Sequence, residues 1–174
     1  VQSNTPSYQQ KLKFVKEQLS KMLFANPQRI DYYDRYQEII DAYNAEQNRA
    51  TIEKTFMDLM ELASSLDTEQ QRYVREGFSS DEELSVYDLL FSENLTKREI
   101  ETIKKVSVDL LTKIKQQIAK LDHWTDKQET KAIVDNLIRN TLWQELPNSY
   151  DVSDIQTYQK KIYEYVYMRY PEVA

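Results

Sequence analysis

Apolar residues recur along this chain at intervals of three and four, and no stretch alternates apolar and polar residues over a useful length. That period belongs to helices with one buried stripe. The pattern predicts an all-α protein: a single-domain multi-helix bundle of about 6–8 helices with its own hydrophobic core. The domain is expected to span residues 1–174. It could subdivide into acidic N-terminal helices over 1–76 and basic, aromatic helices over 77–174.

Local signals set the expected boundaries. Thr5-Pro6 reads as a cap followed by proline at the first helical position. Leu12, Val15, Leu19, Met22 and Leu23 follow, and Pro27 should stop that helix near Ala25. A second helix starts at Asn26-Pro27, with Ile30, Tyr33, Tyr36, Ile39, Ile40 and Tyr43 on one stripe, and fades over 44–48. A third begins near Arg49 with Ile52, Phe56, Leu59, Met60, Ala63 and Leu66. Thr68 and Gln71 have capping-box spacing, so this helix either restarts near 65–68 or runs on to Arg75. Gly77 is the natural stop. Ser80 and Glu83 should cap a short helix with Leu84, Tyr87, Leu90 and Phe91. Thr96 and Glu99 should cap the longest one, roughly 96–121. Its stripe is Ile100, Ile103, Ser107, Leu110, Leu111, Ile114, Ile118 and Leu121. Asp126 and Glu129 open another, with Ile133, Leu137, Ile138, Leu142 and Leu146 inside and Pro147 as its end. Asp151 caps the last, which carries Ile155, Tyr158, Ile162, Tyr165 and Val166.

Composition then removes whole classes of function. The 174 residues contain one glycine, four prolines, one histidine and no cysteine. Phosphate-cradling loops of the Rossmann and Walker A kinds need several glycines, so nucleotide-binding α/β enzymes are excluded. Without cysteine there is no disulfide, thiolate nucleophile or cysteine zinc site, which fits a reducing compartment. His123 alone cannot build a histidine metal cluster, and a serine triad could form only around it. No apolar run approaches the roughly 18 residues of a membrane span. The polar start, Val1-Gln2-Ser3-Asn4, lacks the apolar core of a signal peptide and an initiator methionine. It reads as a processed chain or a fragment excised from a longer one.

Charge matters through its distribution more than through the net −6. Residues 31–95 hold sixteen acids against five bases, and residues 96–139 hold ten bases against seven acids. Residues 1–24 carry four lysines against Glu17. Such asymmetry marks separate surfaces for separate partners, or simply solvated helix faces. Glu82 and Glu83 are adjacent and so point to different sides of a helix; no carboxylate spacing predicts an acid–base pair. Intrinsic catalysis is therefore not expected. The tyrosine clusters at 32–36 and 163–167 allow base stacking, but alternate tyrosines on a helix cannot all face one ligand. Packing with the hydroxyl reaching outward is the simpler reading. Trp124 and Trp143 read as packing anchors, and His123 as a surface or capping residue.

Four stretches carry a family likeness. They are Glu83-Leu84-Ser85-Val86-Tyr87-Asp88-Leu89-Leu90, then Leu95-Thr96-Lys97 with the lysine-rich helix to Leu121, then Asp122-His123-Trp124-Thr125-Asp126-Lys127-Gln128-Glu129-Thr130-Lys131-Ala132, and finally Leu146-Pro147-Asn148-Ser149-Tyr150 with the aromatic last helix. In this order they resemble the C-terminal helical region of the R, or motor and restriction, subunit of type I restriction–modification enzymes. The likeness runs from about residue 70 to 168, and the first 70 residues match only as helical and acidic.

The resemblance implies a bacterial cytoplasmic defence system. Its R subunits are ATP-dependent DNA translocases and site-specific deoxyribonucleases whose nuclease and motor domains precede a helical region. No nuclease or helicase motif occurs in these 174 residues. ATP and magnesium are thus expected only for the parent's other domains, and this chain is expected to bind no metal or cofactor. The implied role is to dock the motor onto the methyltransferase (M) and specificity (S) subunits and to touch double-stranded DNA without reading its sequence. Phosphate contacts are expected from Lys97, Arg98, Lys104, Lys105, Lys113, Lys115, Lys120, Lys127, Lys131 and Arg139. A protein interface is expected at Tyr158, Tyr163, Tyr167 and Trp124. The alternatives are a protein-only helical adaptor that never meets DNA and, more remotely, a small hydrolase built on His123.

Overall fold

Capping chemistry and proline decide where each helix begins and ends, and the helices then bury one stripe each. The structure, a computed structural model, describes residues 4–173. The reading of the polar residues 1–3 lies outside them. Among the described residues the fold is all-α, with eight α-helices and two short 3-10 turns. They fall into two compact units, Val1–Asp81 and Glu82–Ala174.

The first unit holds α1 (Asn4–Ala25), α2 (Ile30–Ala45), α3 (Arg49–Gln70) and the single turn α4 (Arg72–Arg75). The helix α1 starts at Asn4, one residue before the expected cap, and ends where Pro27 requires. The Asn26 side chain accepts the Gln28 N–H at 3.1 Å and so opens the 3-10 turn Pro27–Arg29 that leads into α2. Asn48 caps α3 in the same way through the Thr51 N–H, 2.9 Å away.

Val15, Leu19, Met22, Tyr36, Leu59, Leu62, Ala63 and Leu66 form the core of this unit. The buried stripe of α3 is thus set by Leu59, Leu62, Ala63 and Leu66, and it leaves Phe56 and Met60 partly in water. The box expected at Thr68 and Gln71 does not form. The Thr68 hydroxyl donates to the Ser64 carbonyl one turn back, and α3 runs on to Gln70. Gly77, at φ +86°, closes α4. The Phe78 N–H bonds to the Tyr73 carbonyl and the Gly77 N–H to the Val74 carbonyl, which is the left-handed stop that favours glycine.

Arg29 is 3% exposed, and its charge is paired from within this unit. Its guanidinium grips both Asp81 carboxylate oxygens, at 2.6 and 3.1 Å, and donates to Glu69 at 3.1 Å. Glu69 also accepts from Arg72 at 2.9 Å. Burial alone would raise the Glu69 carboxyl. Hydrogen bonds and charge from Arg72 and Arg29 outweigh it and hold the group below its usual range.

The second unit is built from α5 (Asp81–Leu90, entered at the end of the first unit), α6 (Lys97–Ala119), α7 (Gln128–Glu145) and α8 (Val152–Arg169). The Thr96–Glu99 capping box forms in both directions at 3.1 Å, and the one between Asp151 and Asp154 forms at 3.0 and 2.8 Å. Ile103, Leu110, Ile114 and Ile118 of α6, Val134, Ile138 and Leu142 of α7, and Ile162 and Val166 of α8 belong to the buried set of this unit, in which α7 packs against both α6 and α8. Ser107 lies fully buried among them, and its hydroxyl is satisfied by the Ile103 carbonyl at 2.7 Å.

The entry to α7 differs from expectation. Asp126 does not cap it. Residues Trp124–Asp126 form a 3-10 turn, and Lys127 stands at the cap position without a side-chain bond. The Thr130 hydroxyl reaches back to the Trp124 carbonyl at 2.7 Å instead. The Trp124 ring at the start of this turn is fully buried. Ile133 is also not a core residue: it is 43% exposed.

Candidate nucleic-acid and protein interface

The expected cations do not share one face. At about 100° per residue, Lys104 and Lys115 lie within about 20° of each other on α6, as do Lys113 and Lys120, but the two pairs are about 160° apart. Lys97 stands on the row of Lys104 and Lys115, and Arg98 and Lys105 occupy the exposed arc between the two pairs in the first turns. Lys120, Lys127 and Lys131 gather near the junction of α6 and α7, and Arg139 lies midway along α7.

Partners divide the set further. The Lys115 ammonium is 2.7 Å from the Glu82 carboxylate and lies over the Tyr170 ring, 5.4 Å from its centre. Lys113 bridges Asp109 at 2.9 Å and Glu145 at 3.4 Å. Its hydrogen bond to Asp109 raises its pKa, and the charge of Glu145 adds to the effect. Lys104 stands over the Tyr87 ring. Among the described residues, Lys97, Arg98, Lys105, Lys120, Lys127, Lys131 and Arg139 have no ion-pair partner, and all but the half-buried Lys131 are exposed. These seven keep their charge available to an outside anion. Lys113 and Lys115 already spend theirs inside the unit.

The aromatic residues of α8 are held from within. Trp124 is fully buried, so it is no direct contact for a partner. Its indole N–H donates to the Tyr170 carbonyl at 2.7 Å, and its ring meets Tyr163 and Tyr167 edge-on, at 6.1 and 5.8 Å between centres. Tyr167 is 38% exposed, while Tyr163 and Tyr158 are half-buried. Tyr158 packs against buried Tyr150, whose hydroxyl donates to the Leu90 carbonyl at 2.5 Å. Burial raises the Tyr150 and Tyr170 hydroxyls well above the usual phenol range. The Tyr170 hydroxyl also donates to Glu82, so Glu82 holds Lys115 and Tyr170 together. Burial alone would raise Glu82, but these two donors pull it below the usual carboxylate range.

Trp143 departs from its expected role. It is 57% exposed on α7, where helix spacing alone could not separate it from a packing anchor. His123 is exposed in a left-handed turn, with Asp122 and Glu172 carboxylates 3.4 and 3.5 Å from its ring nitrogens. Among the described residues no group of three or more histidine, aspartate or glutamate side chains could hold a metal ion. None of the described helices is long and apolar enough to cross a membrane.

A family model described as "Type I restriction enzyme HindI endonuclease subunit-like, C-terminal" matches residues 10–170. It takes in the first unit, which the residue-level resemblance reached only loosely. No curated protein and no solved structure matches the chain.

Proposed function

Because the chain belongs to the family of C-terminal domains of type I restriction enzyme HindI-like endonuclease subunits, we propose that it is the non-catalytic module that docks the subunit onto its methyltransferase–specificity core and touches duplex DNA through phosphates. The reading extends to the setting: a restriction–modification system working in the bacterial cytoplasm. The ATP and magnesium chemistry of translocation and cleavage belongs, in this reading, to other segments of the subunit.

The observation that carries the DNA half is the set of exposed cations without ion-pair partners, above all Lys97, Arg98 and Lys105 on the first turns of α6. Lysine and arginine placed in this way neutralise phosphates and displace counterions, with no information about sequence. Each phosphate neutralised contributes about −0.9 to the salt slope. Reversing Lys97, Arg98 and Lys105 to glutamate in the endonuclease subunit should weaken duplex binding and flatten that slope by about 2 to 3. An unchanged affinity and slope in a mobility-shift titration would leave the protein-only adaptor as the better account.

A further inference from the structure

We propose that the outward face of α1, from Gln10 to Phe24, is a site for single-stranded nucleic acid, with Lys13, Lys16 and Lys21 on its phosphates and Phe14 and Phe24 under its bases. The proposal stands apart from the duplex contact assigned to α6, which lies in the other unit.

At about 100° per residue, Gln10, Lys13, Phe14, Glu17, Lys21 and Phe24 share an arc of about 100°. It lies opposite the stripe of Val15, Leu19 and Met22 that enters the core of the first unit. Phe14 and Phe24 are each 57% exposed, about 15 Å apart along the helix axis. The Lys11 ammonium lies over the Phe14 ring, 5.8 Å from its centre. Lys13, Lys16, Glu17, Ser20 and Lys21 line an open hollow on the helix. Glu17 is the one acid in α1. It stands 4.0 Å from Lys13 with both side chains mostly in water, a pair too loose to cancel the lysines. The rest of this unit is acidic, so α1 concentrates its positive charge on one side.

Charge complementarity makes the occupant a polyanion, and the residue types choose among polyanions. Lysine is depleted at the centres of protein interfaces, and every cation of α1 is a lysine. An anionic lipid surface takes up a helix through its apolar face, and the apolar face of α1 is spent in the core. A duplex offers phosphates but keeps its base faces stacked inside. A single strand offers both a phosphate chain for the lysines and open base faces for two exposed phenylalanine rings.

The experiment titrates the chain by fluorescence anisotropy with a labelled single strand of about 12 thymidylates and, separately, with a duplex. Phe14→Ala and Phe24→Ala should each weaken single-strand binding by about fivefold or more and leave duplex binding within about twofold. Reversal of Lys13, Lys16 and Lys21 to glutamate should flatten the single-strand salt slope by about 2. Glu17→Gln should tighten single-strand binding, a gain that a folding defect could not produce. Thermal melts check the folding of the other variants. Phenylalanine variants that bind the single strand as wild type does, or that lose the duplex equally, would overturn the proposal. So would equal affinity for polyglutamate or for vesicles of anionic phospholipid, since the face would then answer to charge alone. These readouts on α1 stand or fall whatever the α6 reversal does to duplex binding.

Discussion

The Lys115 ammonium lies 2.7 Å from the Glu82 carboxylate, in a cluster completed by the Tyr170 hydroxyl. This lysine therefore serves the fold before it can serve DNA. Reversal of Lys115 to glutamate would set two carboxylates against each other and should cost about 1 kcal/mol of stability. Urea unfolding of the chain reads that cost. The triple reversal at Lys97, Arg98 and Lys105, which have no such partners, should leave the urea midpoint nearly unchanged.

The buried pair of Arg29 and Glu69 makes the first unit sensitive to acid. Glu69 has a folded pKa below its ordinary value of 4.5. A depressed carboxyl contributes stability that is present above the ordinary value and is lost as pH falls through the lower, folded one. Glu69→Gln should remove that acid-limb dependence. It should also cost about 3 kcal/mol near neutral pH, since Arg29 and Arg72 lose a buried anion. Melting temperature against pH, wild type beside variant, checks both statements. A variant with the same acid limb would show that the pair contributes nothing to it.

Trp124 is the internal support of the tyrosines on α8. Trp124→Phe keeps an aromatic ring but loses the donor to the Tyr170 carbonyl, and should cost about 1 kcal/mol. Trp124→Ala empties a fully buried site and should cost about 3 to 5 kcal/mol. Chemical denaturation of the two variants separates the hydrogen bond from the packing.

The boundaries of the helices were legible because their causes are local. Pro27, Gly77, the Thr96–Glu99 box and Asp151 each act within a few residues, and each acts where its type predicts. What depended on distant neighbours was not legible. Asp126 has the spacing of a cap, yet it ends a 3-10 turn that holds the buried Trp124, and Lys127 takes the cap position. Trp124 and Trp143 look alike in sequence, but one is fully buried and the other 57% exposed. Helical period places Lys104, Lys105 and Lys115 away from the core but says nothing of Glu82, which is 33 residues away from Lys115 in the chain. Nor does it say which apolar edge of α3 faces its neighbours: the three-and-four spacing puts Phe56 and Met60 on the buried stripe, and they emerge partly exposed. One signal for Trp143 was available: the run from 132 to 143 has almost no outward charge.

Gly77 gives a test of the left-handed stop. An added Cβ there would meet no atom within 4 Å, so any cost of Gly77→Ala comes from φ +86° alone. That cost should be about 1 to 2 kcal/mol in urea unfolding. A neutral substitution would show that the chain relaxes out of that conformation freely.

The most direct measurement is the association of the endonuclease subunit with its methyltransferase–specificity core, followed by size-exclusion chromatography with and without this 174-residue segment. The account predicts that the intact subunit co-elutes with the core and that the shortened one elutes alone. Co-elution of the shortened subunit at the wild-type position would contradict it.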